Sequence, residues 1–141
     1  VRMREIVRNV FRKIGDHELS IVHAHPEFAE RMLHIDDSLL KYRDVVLGHH
    51  KWYNGQGGYP ASFDNTKSPV RILIDIASIA DTLEAATSHV GRSYRKPKNF
   101  IQIMEELRHQ SGTRYNRDVV YAIFCSHETY MRLEELIDEG R

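Results

Sequence analysis

Four side chains in this sequence could share one piece of chemistry. His25 precedes Pro26, His49 and His50 stand side by side ahead of a glycine-rich stretch, and Asp81 sits among Ile76, Ala77, Ile79, Ala80 and Leu83. Imidazole nitrogens and a carboxylate, with no thiolate, suit iron, manganese, zinc and similar ions. Downstream, "GRSYRK" carries Arg92, Arg95 and Lys96, about three helical turns past Asp81. Such cations can hold phosphate beside metal ions, and metal plus a basic clamp is the equipment for phosphoester hydrolysis.

Taken singly, each residue has a plainer reading. Adjacent helical residues point about 100° apart, so two rings cannot easily clasp one metal from mid-helix; at a helix end the backbone relaxes, but the dipole there favours histidine in any case. Asp81 among apolar neighbours is costly unless paired or bound to a metal. A turn of its helix to solvent would also explain it, and Arg71 is at hand to pair with an acid in this helix. His25 alone reads as an ordinary surface or packed histidine, although Pro26 removes a backbone donor and opens the helix beside it. His23 is expected to face elsewhere, and His17, His34, His89, His109 and His127 share no helical face with it. The four candidates differ because the three helices carrying them must pack together in a domain this small.

Those helices are legible in the hydrophobic spacing. Val1 to Lys13 repeats apolar residues at near-helical intervals and Gly15 ends it. Asp16 offers a cap for a second helix through Leu33, which Pro26 should kink or restart just after His25. Asp36, Asp37 and Ser38 offer caps for a third, Leu39 to about His50. A loop follows from Lys51 to Ser68, with turn signals at Asn54-Gly55 and Gly57-Gly58; its length is that of a functional or disordered segment. Pro69 fits the first turn of a long apolar helix, "PVRILIDIASIADTLEAATSHV", which should be central. "PKNFIQIMEELRHQ" is amphipathic, and Asn116 or Asp118 opens a last helix through Leu136. No strand is expected. The fold class is all-α, a bundle of about six helices.

Composition bounds the rest. A chain of 141 residues is one domain, 1–141, in the simplest reading. Lys plus Arg and Asp plus Glu are both 20, so no basic field argues for DNA, RNA or anionic lipid. The single cysteine, Cys125, cannot pair within the chain and points to a reducing cytoplasm. No apolar run approaches the roughly 18 residues of a membrane span. Nine histidines in a neutral chain justify the search for a metal site.

In order along the chain, "HAHPEFAERML", "HHKWYNGQGGYP", "ILIDIASIADTLEAATS", "GRSYRK" and "SGTRYNRDVV" resemble the signature segments of the HD-GYP family, the cyclic di-GMP phosphodiesterase subgroup of the HD superfamily. The likeness covers roughly residues 15 to 125. It departs at Asn54 and Arg117, in one residue added before Gly58-Tyr59-Pro60, and in two added between Asp81 and Arg92. No His-Asp dipeptide occurs in the 141 residues; by the family's order that motif, with its lysine, would fall before Val1, as in the C-terminal two thirds of such a domain.

The resemblance implies an HD-GYP-like bundle without the family's N-terminal helices. It implies two or three divalent ions, iron or manganese, held by His25, His49, His50 and Asp81, and phosphate held by Arg92 and Arg95. It implies hydrolysis of cyclic di-GMP by an intact protein, with no catalytic residue in this chain and no turnover by the chain alone. The glycines of the loop let it turn tightly over the pocket, and Trp52, Tyr53 and Tyr59 offer apolar walls on which a base could stack. Two other readings stay open: a metal-poor, non-catalytic nucleotide-binding or signalling module, working as a homodimer, and a hydrolase of another nucleotide.

Overall fold

The computed structural model describes residues 15–88 and 97–139. The first expected helix, the phosphate-clamp candidates Arg92 and Arg95, and Lys96 lie outside them. Among the described residues there are seven α-helices: α1 Asp16–His23, α2 His25–Leu33, α3 Arg43–Gly48, α4 Arg71–Thr87, α5 Phe100–His109, α6 Arg117–Cys125 and α7 His127–Glu139. Two 3-10 segments, Asp37–Tyr42 and Asn65–Lys67, join them. No strand forms among these residues; only two isolated bridges occur, Lys51 with Gly58 and Ser111 with Tyr115. The all-α expectation holds.

The differences lie at helix ends. Gly15, not Asp16, is the N-cap of α1, and its amide donates to the Glu18 carboxylate at 3.0 Å. The expected second helix divides at Ala24, one residue earlier than Pro26 suggested, and Pro26 falls in the first turn of α2, where its missing N–H costs nothing. The expected Leu39–His50 helix begins instead as the 3-10 segment, capped by Asp36 accepting from the Ser38 amide at 2.8 Å, a common form of helix entry. Pro69 stands in a turn two residues ahead of α4. Asn99 and Gln102 cap α5 reciprocally. Asn116 caps α6, accepting from the Asp118 and Val119 amides. The last helix divides at Ser126, whose hydroxyl accepts from the Thr129 amide and opens α7.

The core is built by the second half of the chain. Ile79 and Leu83 of α4 pack with Phe100, Ile103, Met104 and Leu107 of α5, Tyr115, Val120 and Ile123 around α6, and Ile137 of α7. The buried side of α4 runs Ile74, Asp75, Ser78, Ile79, Leu83 and Thr87, a stripe at near-helical spacing. Ile72, Leu73 and Ile76 lie about half exposed, so α4 is less enclosed than its apolar sequence suggested. Where α3 crosses α4, Gly48 is buried; a Cβ there would come within 2.8 Å of Ile74 and 2.9 Å of Phe63. That close approach, near the start of α4, brings the end of α3, with His49 and His50, against this helix.

Candidate metal centre

Proline and a helix terminus aim two of the histidines. In an α-helix each amide donates to the carbonyl four residues back. Pro26 has no amide to give, and the Val22 carbonyl, four residues back, accepts instead from the His25 ring, Nδ1 to O 2.7 Å. The last four carbonyls of a helix lack helical partners. One of these at the end of α3, that of Val46, accepts from His49 Nδ1, also at 2.7 Å. A carbonyl can only accept, so Nδ1 carries the proton in both rings and Nε2 of each neutral ring presents a lone pair.

Those two Nε2 atoms face each other at 3.0 Å. Two lone pairs so opposed repel unless a proton or a metal cation lies between them. Burial is the largest influence on His25 and lowers its pKa from 6.5, with the His49 charge adding to the effect and the Val22 hydrogen bond and Asp81 opposing it. A metal cation is the other candidate for that place. The spacing suits one: ligand bonds of about 2.0–2.1 Å place two nitrogens roughly 2.9 Å apart at octahedral right angles and about 3.3 Å apart at tetrahedral angles. Fixing Nδ1 on a carbonyl is also how protein metal sites orient their imidazoles.

His50 completes the group. One ring nitrogen each from His25, His49 and His50 lies within 4.8 Å of the others. The ring centroids of His49 and His50 are 4.1 Å apart, possible because His49 is the C-cap of α3 and His50 lies beyond the helix. Asp81 reaches the edge of this group through His50, Oδ2 to Nδ1 3.7 Å, and its side chain is 37% exposed. Of the readings left open for Asp81, the structure has it partly open to solvent and beside His50, not enclosed by its aliphatic neighbours. The enclosed aspartate of α4 is Asp75, 4% exposed, which accepts from Asn116 Nδ2 at 2.7 Å and lies 3.9 Å from Arg71 Nε.

The glycine-rich loop is ordered by backbone pairing. The Trp52 amide donates to the Gly57 carbonyl at 3.1 Å, and the Tyr59 amide to the His50 carbonyl at 3.3 Å. Gly58 makes the second contact feasible: its φ is +80°, and a Cβ would stand 2.0 Å from the His50 carbonyl oxygen. The Tyr53 and Asn54 amides donate to the Arg114 and Thr113 carbonyls, tying the loop to the segment before α6. Arg71 holds the same place, donating from Nη2 to the Tyr53 carbonyl with its guanidinium 4.5 Å from the Tyr53 ring centroid. Of the three loop aromatics, Tyr53 thus meets Arg71, and Tyr59 lies against His50 and His23. Trp52 is 40% exposed with Gly57 packed on its ring.

Sequence reasoning missed two participants. His23 does not join the histidine group but stacks on Tyr59 at 4.2 Å; the break at Ala24 changes the angular relation to His25 that a continuous helix would impose. Asp75 was overlooked, although an acid four residues after Arg71 is the ordinary sequence sign of a helical ion pair.

A model of the HD domain family matches residues 5–119. A cyclic di-GMP phosphodiesterase of Thermotoga maritima is 28% identical over 124 residues, covering 86% of this chain. The chain spans 30% of the length of that relative.

Proposed function

The chain belongs to the HD domain family, and from that premise we propose that His25, His49, His50 and Asp81 bind divalent metal for phosphodiester hydrolysis, with a cyclic dinucleotide as substrate. The observation that carries the reading is the opposition of two imidazole lone pairs at 3.0 Å, each ring anchored through its other nitrogen. Three imidazoles and a carboxylate fit iron or manganese, the ions that the HD-GYP likeness suggests. When bound, such ions stabilise charge on a phosphoryl group and lower the pKa of water.

The residues of the chain have separable tasks in this reading. His25 and His49 hold the ion from two helix ends, His50 brings the third imidazole, and Asp81 supplies the negative charge. Arg92 and Arg95, outside the described residues, are proposed to hold the substrate phosphates. Cyclic di-GMP is the proposed substrate of the longer protein, in the cytoplasm. The absence of a His-Asp dipeptide favours a second reading for the chain alone: a metal-poor, non-catalytic nucleotide-binding, signalling or dimerising module.

Elemental analysis and Mn²⁺ titration of the chain, beside a version extended upstream, test the metal. Cyclic di-GMP binding and hydrolysis by both versions separate the two readings. Metal bound by the chain and lost in His25→Ala and His49→Ala supports the site; a chain that takes up no divalent ion in either length overturns it. Hydrolysis by the short chain would overturn the non-catalytic reading.

A further inference from the structure

Beside the histidine group three rings form a stack. His23 lies on Tyr59 with 4.2 Å between centroids and 25° between planes, and His50 lies on Tyr59 at 4.4 Å and 31°. Stacked carbons approach no nearer than about 3.5 Å. Two rings that close to one face of Tyr59 would overlap each other, so they take opposite faces and Tyr59 is held between them. The backbone gives this ring its place: the Tyr59 amide follows the His50 carbonyl, across the turn that Gly58 makes.

His23 comes to this place from a different helix than His25. It is the last residue of α1, and Ala24 separates it from α2. Its side chain is exposed, so little core depends on it. It lies outside the group of three histidines whose ring nitrogens converge. An exposed ring outside the converging group, laid on a tyrosine whose other face covers a ligand candidate, has a mechanical use.

We propose that His23 is a positioning residue: it presses the Tyr59 ring against His50 and so fixes the plane of the His50 imidazole, without itself donating to metal. The functional consequence rests on the metal reading above; the geometry does not. The ring at position 23 needs to be flat and aromatic, not basic. Phenylalanine should therefore replace it, whereas alanine should not.

Two measurements test this on the chain as it stands. In the metal-free protein, ring currents from Tyr59 should shift the His50 ring protons upfield in the NMR spectrum. His23→Phe should keep that shift and His23→Ala should lose it, with melting temperatures near that of the parent in both. In Mn²⁺ titrations, His23→Ala should bind about three- to tenfold more weakly, the scale of one lost ring stack, and His23→Phe within about twofold of the parent. If the alanine variant fails to fold, His23→Gln takes its place with the same expectations. An unchanged His50 shift in the alanine variant overturns the proposal. Failure of phenylalanine to restore binding also overturns it, and would make His23 a ligand. If the parent binds no Mn²⁺ while the shift follows the ring at position 23, the metal reading falls and the positioning role stands.

Discussion

Two aspartates on α4, six residues apart, have opposite fates. Asp75 is buried, and its partners are all protein: Asn116 donates to it and Arg71 lies beside it, while both partners also hold the backbone of neighbouring segments. Asp81 is partly open and leans on His50, one of three imidazoles whose nitrogens converge. In the first cluster the Asn116 amide meets the Asp75 carboxylate, and Arg71 adds its charge at 3.9 Å, with Nε making no hydrogen bond. The second leaves lone pairs facing each other. A polar cluster that finds its partners within the protein is a fastener; one with opposed lone pairs is completed by something from outside. On one helix, burial and complementarity thus separate the residue that holds the fold from the residue proposed to serve the metal site.

Breaking the fastener should give the largest effect on stability. Asp75→Ala leaves a buried amide without its acceptor and a guanidinium without its counter-charge, and should cost about 2–4 kcal/mol in urea unfolding. Asp75→Asn keeps an acceptor for Asn116 and should cost clearly less. A loss below about 0.5 kcal/mol in the alanine variant would mean that the two aspartates do not differ in kind.

The loop that joins the two clusters should come next. Gly58→Ala forces a side chain into positive φ and onto the His50 carbonyl, and should cost about 2 kcal/mol while displacing Tyr59 from His50. Unchanged stability together with unchanged Mn²⁺ affinity would show that the loop does not couple the clusters.

Asp81→Ala should do the reverse of Asp75→Ala. Stability should stay within about 0.5 kcal/mol of the parent, as for an open surface site. Mn²⁺ affinity should fall about ten- to a hundredfold, the range seen when a metal site loses a supporting carboxylate. Equal metal affinity with and without this carboxylate would leave the three histidines as the whole site.

A smaller effect follows from acid titration. Burial is the main influence on Asp75 and raises its pKa above the ordinary 3.8, against the pull of Asn116 and Arg71. A raised folded-state pKa means that the folded protein binds this proton more tightly than the unfolded chain. The resulting stabilisation is full below the unfolded value and is lost as pH rises through the folded one. Across the acidic range just above 3.8, the stability of the parent relative to Asp75→Asn should therefore decline with rising pH. A difference that grows with pH would place the Arg71 charge, not burial, in control.

How much of this could be read from the sequence depends on where each residue stands. Helical spacing located the helix bodies, and Pro26 announced the interruption that frees the Val22 carbonyl for His25. The side-by-side pair His49-His50 pointed to a helix end, because mid-helix the rings would diverge. What escaped was set by tertiary context. Aliphatic sequence neighbours left it open whether Asp81 is enclosed or turned to solvent, and only packing decides, since Ile76 on the same helix is itself about half exposed. For Asp75 the local sign was Arg71 four residues earlier, but its hydrogen-bond donor Asn116 lies 41 residues away, beyond the reach of any local pattern. His23 looked averted because a continuous helix was assumed across Ala24, and a break of one residue redirected it.

The two clusters also differ in the length of chain each must close. The His25–His49 contact spans 24 residues and the Asp75–Asn116 contact 41. For a flexible chain the longer closure loses more entropy by about 0.5 kcal/mol, since that cost grows only as the logarithm of length. The imidazole pair needs only the first fifty residues, whereas the fastener waits for α6. During synthesis from the N-terminus, the part that carries the three imidazoles can therefore draw together before the segment that locks α4 has left the ribosome.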